Sequence, residues 1–463
     1  MKRIGIIGGG ASGAITAARL LEKSGPEIQI DLIDPSGDPG PGVPYRTGNP
    51  DHLLNVVAAR MSAIDEDPDH FLRWIRTRDS SVEPGDYIRR GVYGEYLRGL
   101  LQKSDELRPA ETQSLRVIQG EVVAIERSNG SLVLEMKGSP PIRCDEVVLA
   151  VGAIAAPDPV SVSAEIEASG KYMSDVWADE WLGAASDDDR VLILGTGLTM
   201  VDAALSLSRS RTGPQIYAMS RNGLFPKAHR KGFVRLEPPT VDEEGSIGLK
   251  QALSMFFELE ARSPEEGGDW RDAMDAMRRV TPSIWRRMPV ADKRRFLDEF
   301  ARTWEVHRFR MAPEVAERFD SLREADRLEI LKGTILRLET VPGGLQASIE
   351  ADGEIRTLRV DRVINCTGAG REITGESSPL LSSMIAKGLI KEDVLRMGLE
   401  VTPDGRAVEG SGAVSADISV VGPLRRGVEW EAIGITEIRV QAAGVAERLS
   451  AEAATGEIGH QPA

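Results

Sequence analysis

IGIIGGGASG at Ile4–Gly13 and VLILGTGLTM at Val191–Met200 are two strand–glycine–helix stretches in one chain of 463 residues, and their reading decides the fold. In the first, Ile4–Ile7 is a short apolar strand. Gly8, Gly10 and Gly13 follow at G-x-G-x-x-G spacing, and Ala14–Lys23 has a helical pattern. Such glycines let the backbone turn tightly and approach a pyrophosphate, whose charge then faces the unpaired N–H groups of a helix N-terminus. A bare glycine pattern also serves ordinary strand–helix turns, so the context carries the weight. Gly25-Pro26 ends the helix, Ile28, Ile30 and Leu32 alternate as a second strand, and Asp34 lies 21 residues beyond Gly13, where a carboxylate accepts ribose hydroxyls.

The second stretch repeats the plan with a changed ending. Gly195 and Gly197 hold the first two positions, and Met200 replaces the third glycine. That glycine serves close helix–strand packing, so its loss predicts a slightly displaced helix with phosphate binding retained. No acid follows. The next strand, Gln215–Met219, ends in Ser220-Arg221, a hydroxyl and a guanidinium that suit a 2′-phosphate and favour NADP over NAD. A plain surface arginine is the alternative reading of Arg221. Two dinucleotide sites in one chain imply electron transfer between their occupants.

Composition narrows the function. A formal net charge of −15 disfavours nucleic acid or an anionic membrane as partner. No apolar run approaches a membrane span, and a strand begins by Ile4, so a cytoplasmic protein is expected, of undetermined oligomeric state. Cys144 and Cys366, the only cysteines, stand 222 residues apart, which removes C-x-x-C disulfide chemistry. The five histidines have no metal-ligand spacing, and no metal is expected.

A second repetition supports two domains. Arg116–Glu126, Ser131–Lys137 and Glu146–Gly152 read as strands ending in LAVG; Thr334–Glu339, Leu345–Glu350 and Arg359–Gly368 read likewise and end in NCTG. The expected fold class is α/β: two doubly wound Rossmann-like domains, one inserted in the other. Residues 1–156 with 369–463 would form one, and 157–368 the other, with crossings at Ala155–Pro159 and Gly368–Gly375. Within the second, Leu249–Leu331 reads as a helix-rich insertion whose aromatic residues fit either a lid or a bundle core. The tail Ala451–Ala463 reads as frayed.

These features resemble the FAD/NAD(P)-binding oxidoreductases allied to class B flavin monooxygenases, in particular a bacterial family that includes nitrosuccinate-forming aspartate N-monooxygenases. Besides the two fingerprints, the resemblance rests on Pro39–Ser62 (PGPGVPYRTGNPDHLLNVVAARMS), Tyr87–Leu97, Leu149–Pro159, Ser220–His229, Trp304–Pro313 (WEVHRFRMAP), Val363–Gly368 and Val420–Gly434. It implies FAD held by Gly8, Gly10, Ala11, Ser12, Gly13, Asp34, Val123, Ala150 and Gly152, with Gly422 and Trp430 returning beneath the flavin ring and a helix from about Ile435 pointing its positive end there. It implies NADPH held by Gly195, Gly197, Thr199, Ser220 and Arg221.

Leu53–Ser62 and Arg89–Tyr96 are similar to the flavin-flanking stretches of N-hydroxylating monooxygenases, which makes Asn55, Arg60 and Ser62 the catalytic candidates. Capping of a helix-like Val56–Met61 is an equal alternative for Asn55. Arg89 and Arg90 are candidates for phosphate or carboxylate, or are solvated. The Baeyer–Villiger pattern F-x-G-x-x-x-H-x-x-x-W is absent; Gly170–Trp177 is its nearest counterpart and has no histidine. The implied reaction is oxygen transfer from O2, through a flavin C4a-(hydro)peroxide, to the nitrogen of a small amine-containing substrate. The alternatives left open are an NADPH-dependent flavin reductase or oxidase serving a quinone, small molecule or redox protein, and a non-catalytic flavin sensor.

Overall fold

The two fingerprint strands each lie inside a separate parallel sheet of the computed structural model, which describes residues 1–108, 114–154, 156–177, 185–209, 213–241, 244–370, 373–375 and 377–455. The first sheet runs in the order Arg406–Val408, Val414–Val420, Glu146–Leu149, Lys2–Ile7, Ile28–Asp34, Leu115–Gln119. All its pairings are parallel except that of the edge strand Arg406–Val408. The second runs Leu328–Lys332, Gln215–Ser220, Arg190–Leu194, Arg362–Asn365, Tyr172–Met173, parallel throughout. In both, the fingerprint strand sits between the strand that follows it and a strand delivered by a three-stranded antiparallel meander. This is the paired doubly wound α/β architecture that the repeated motifs predict.

Two of the sequence-read strands divide. Arg116–Glu126 is two elements: Leu115–Gln119 joins the parallel sheet, and Val122–Ser128 opens the meander. Arg359–Gly368 likewise splits around Asp361 into Glu354–Val360 and Arg362–Asn365. Each meander also contains an additional strand. One of these, Ser139–Cys144, was obscured by Pro140-Pro141, which an edge strand tolerates because one face of its backbone needs no partner.

The first fingerprint helix, Ala11–Lys23, is buried from Ser12 through Leu21 because it is packed between helices Arg90–Glu106 and Ile435–Thr455. Small residues on it permit that approach. The insertion consists of helices Leu249–Arg262, Trp270–Arg278, Thr281–Arg287, Val290–Glu299, Ala301–Arg308 and Pro313–Glu324. It ends earlier than the aromatic pattern suggested, since Leu328–Leu331 belong to a sheet strand. Trp285 and Phe296 form its core, with Phe256, Phe300 and Trp304 packed against them. The aromatic spacing is therefore core spacing. At the C-terminus Ala451–Thr455 continue the last helix rather than fray; the rest of that tail, Ala155, and positions 371 and 372 of the crossings lie outside the described residues. No helix among the described residues is long and apolar enough to cross a membrane.

The glycine turns are built alike. Gly8 has φ +102°, its N–H donates to Ile33 O at 2.9 Å, and a Cβ there would run into the carbonyl of Ala150. Gly195 has φ +104°, donates to Met219 O at 2.8 Å, and a Cβ would run into the carbonyl of Cys366. Gly195→Ala is therefore expected to cost about 3 kcal/mol. Gly197→Ala, at φ −84° with no atom within 4 Å of the added methyl, should cost less than about 1 kcal/mol. Urea denaturation followed by circular dichroism checks this, and equal losses would contradict the close strand contact.

Candidate functional site

At the first turn the backbone is shaped for an anion. Gly10 is the N-cap of helix Ala11–Lys23, makes no side-chain cap, and no acid occupies the first turn, so the helix presents bare N–H groups. The heavy atom nearest a Cβ on Gly10 is Gly42 Cα at 3.6 Å, which leaves its outer face clear; Gly42 and Gly40, from Pro39–Gly42, fold over the turn, with Gly40 N–H donating to Gly9 O at 2.7 Å. Gly13 packs against Gly8, where a side chain would hit the Gly8 carbonyl. Asp34 ends its strand beside this turn. Its Oδ2 accepts Gly9 N–H at 2.7 Å and its Oδ1 accepts Ser36 N–H at 2.9 Å. Val123 falls in a break of ladder register between Val122 and Ala124, next to the turn in which Gly120 N–H donates to Asp34 O. Ala150 is buried, while Gly152, at φ +81°, faces open space. These residues fit a dinucleotide.

The second turn is equivalent in backbone and different in chemistry. Gly197 is an uncapped N-cap with no acid in the following turn, and Thr199, on helix Leu198–Leu207, lines a cavity of about 200 Å³ facing His52 and Trp177. Met200 is fully buried, filling the space between this helix and the sheet. Ser220 ends its strand as Asp34 ends its own; Thr196 Oγ1 lies 2.8 Å from its hydroxyl, which accepts Gly223 N–H at 3.1 Å. Arg221 is exposed and has no acidic or hydrogen-bond partner among the described residues. Sequence reasoning missed Arg302, which reaches from the insertion to Thr196 O at 3.2 Å and Leu224 O at 2.7 Å.

A model described as FAD-NAD(P)-binding matches residues 5–154, the span holding the first turn, Asp34, Val123 and Ala150. Over that span the chain is similar to FAD-NAD(P)-binding domains. The uncharacterized protein YdhS of Escherichia coli (strain K12) is 24% identical over 373 residues; the match covers 72% of this chain and 65% of that protein's length. L-lysine 6-monooxygenase from Pseudomonas syringae shares the fold with a TM-score of 0.66 at 17% identity, covering 98% of this chain and 100% of that one. A bacillithiol disulfide reductase from Staphylococcus aureus shares it at 0.57 and 14%, with 98% and 99% covered. At these identities the likeness is one of fold.

Between the insertion and the stretch 403–444 lies a cleft of about 940 Å³, lined by Asp275, Arg278, Glu431, Glu437 and Gln441 among others, with Arg60 on its lining from the first part of the chain. Arg60 Nη1 is 3.2 Å from Asp275 Oδ2 and its guanidinium lies over Phe233. Asp275 also pairs with the buried Arg310. Burial raises the Asp275 pKa, but Arg310, Arg60 and Arg308 outweigh it and hold the carboxylate below its usual range. Arg308 and Glu431 form a buried two-pronged ion pair, Nε–Oε1 3.0 Å and Nη2–Oε2 2.9 Å. Arg60 was a candidate from the sequence, but Asp275, Arg308, Arg310 and Glu431 were not singled out, because only tertiary burial turns ordinary charged residues into partners.

Of the three catalytic candidates Arg60 alone lines this cleft; Asn55 and Ser62 are not on its lining. Asn55 caps nothing: the short helix there, Ala58–Arg60, has Val57 as N-cap with no side-chain bond, and the Asn55 amide makes no hydrogen bond among the described residues. Its carbonyl accepts His229 Nε2–H at 3.1 Å, a bond from the second half of the chain to the first. Ser62 is fully buried with its hydroxyl 2.6 Å from Asp67 O and 3.1 Å from Ile64 O. Arg90 pairs with Asp202 at 2.6 Å and is spent between the halves, while Arg89 is exposed.

Gly422, at φ +93°, lies against the first turn, where a side chain would strike Ser12 Oγ. Its N–H donates to Gln441 Oε1 at 2.8 Å, and Gln441 Nε2 donates to Glu429 at 2.7 Å. The Trp430 indole belongs to the insertion core, stacked on Trp285 at 5.0 Å, and that packing holds its backbone at φ +60°, an uncommon value for a bulky residue. The last helix begins at Ile435, and Glu437 in its first turn pairs with Arg278.

Burial, and then Arg310, push the His229 pKa from 6.5 down to about 4, so the ring is neutral in the folded protein at neutral pH. Below pH 6.5 the unfolded chain takes up the proton first. Stability is therefore full above that value and falls on acidification until about pH 4, by on the order of 3 kcal/mol from this residue. Denaturation midpoints between pH 7 and 4 should fall more steeply for the wild type than for His229→Gln; parallel curves would refute the shift.

Proposed function

We propose that the protein is an FAD-dependent, NADPH-using monooxygenase that acts on a small amine-containing substrate, with O2 as co-substrate and nitrogen as the site of oxygen insertion. The observation that carries this reading concerns where electrons can leave. The fold is shared by a monooxygenase and a disulfide reductase, and disulfide exchange needs an accessible thiolate. Cys144 and Cys366 are both buried; burial pushes the Cys144 thiol up to about 12 and the Cys366 thiol higher still. Cys366 moreover supplies the carbonyl against which Gly195 turns, so it is part of the scaffold.

When bound, FAD and NADPH supply hydride transfer and oxygen activation, the part of the chemistry that side chains cannot perform. The chain binds, orients and excludes water. In this reading Gly8, Gly10, Gly13 and Asp34 hold FAD, Gly195, Gly197, Ser220 and Arg221 hold NADPH, and the free Asn55 amide orients the reacting groups. The Arg60–Asp275 pair offers an anion to the substrate ammonium and a cation to its counter-charge. Neutral His229 fixes the Asn55 backbone without adding charge.

The test is oxygen accounting. The holoprotein, NADPH and isotopically labelled O2 are incubated with a panel of small amines, and NADPH consumed, hydrogen peroxide formed and labelled product are measured together. At least one amine should raise NADPH consumption and appear as a product carrying one labelled oxygen atom. Recovery of all reducing equivalents as peroxide across the panel, or reduction of an added quinone regardless of oxygen, would move the assignment to the oxidase or reductase reading.

A further inference from the structure

The large cleft has an uneven charge balance at its mouth. Its acids Asp272, Asp275, Asp404, Glu429, Glu431 and Glu437 each sit in an ion pair with an arginine. Arg235, Arg279 and Arg286 line the same cleft, are exposed, and have no acidic or hydrogen-bond partner among the described residues. Arg279 and Arg286 stand at the C-terminal ends of helices Trp270–Arg278 and Thr281–Arg287, where the helix dipole favours a cation. Deeper in, Arg425 is 3% exposed and its buried Nε has no protein partner. Phe233 and Val440, also on the lining, are exposed apolar surface.

We propose that these arginines bind a phosphate carried by the substrate, whose amine meets the Arg60–Asp275 pair. This rests on the cleft being the substrate site of the proposed oxidation. Three guanidinium forks exceed what one carboxylate can use and match the several oxygens of a phosphate. A chain of net charge −15 gathers no anions by its overall field, so a local positive rim is where an anionic substrate is selected. The volume of about 940 Å³ exceeds the needs of a free small amine and leaves room for an arm, along which Phe233 and Val440 would pack. The phosphate belongs to a phosphorylated small amine or to an amine on a phosphopantetheine-type arm.

Calorimetric titration at low salt decides this, using holoprotein with its nucleotide sites saturated by FAD and NADP+. The probes are O-phosphoethanolamine and 4′-phosphopantetheine. At least one should bind saturably, and Arg279→Ala/Arg286→Ala should weaken it about tenfold or more, the size of one lost charged hydrogen bond. Arg279→Lys/Arg286→Lys should retain most of the affinity, and FAD content and melting temperature show that each variant is folded. Equal binding of both probes assigns a small phosphorylated amine; binding of phosphopantetheine alone assigns the arm. No saturable binding of either probe, or undiminished binding by the alanine variant, overturns the proposal. Because the readout is binding, its failure is distinct from failure of the oxygen accounting.

Discussion

The contact between a glycine and a neighbouring strand's carbonyl governs both halves of the molecule. At Gly8 it is the carbonyl of Ala150, at Gly195 that of Cys366, and in each case the following residues are held so that a helix begins three positions later. The next parallel strand accepts the glycine N–H, through Ile33 or Met219, and brings Asp34 or Ser220 to the edge of the turn. The shape of each turn is thus a property of strand order rather than of the glycines alone. The meanders matter because they deliver the strand whose carbonyl closes the turn.

Buried polar contacts then relate the halves to the insertion. Arg308 on the insertion meets Glu431 on the segment that leads to the last helix, Arg90 meets Asp202, and His229 reaches the Asn55 carbonyl. Such pairs contribute little net stability against well-packed apolar residues, but losing one member leaves a buried charge behind. Their consequence is placement: the cleft wall, the Asn55 loop and the Gly422 turn are fixed to one another through Arg60, Asp275, Gln441 and Glu429. Trp430 adds an apolar anchor through Trp285.

Much of this was legible in the sequence. Apolar strands ending in glycine at regular spacing specify both turns, and the alternation of Ile28–Leu32 with Asp34 specifies the next strand, because these patterns follow from local backbone geometry. Split strands were harder, since Leu115–Gln119 and Val122–Ser128 differ only in which sheet they join. The cleft was illegible for a different reason. Arg308, Arg310, Asp275 and Glu431 are ordinary charged residues of helices and loops, and only tertiary burial turns them into partners. Ser62 shows the converse: it stands in a suggestive segment, yet its hydroxyl closes a local turn.

The proposed function requires two unlike nucleotide sites that exchange a hydride, the second selecting a 2′-phosphate. Anaerobic titration of the FAD-loaded protein with NADPH and NADH, followed at the flavin absorbance band, tests this most directly. One equivalent of NADPH should bleach the flavin, NADH should do so far more slowly, and Arg221→Ala should remove most of that preference. A flavin left oxidised by NADPH, or a preference for NADPH unchanged by Arg221→Ala, would contradict it.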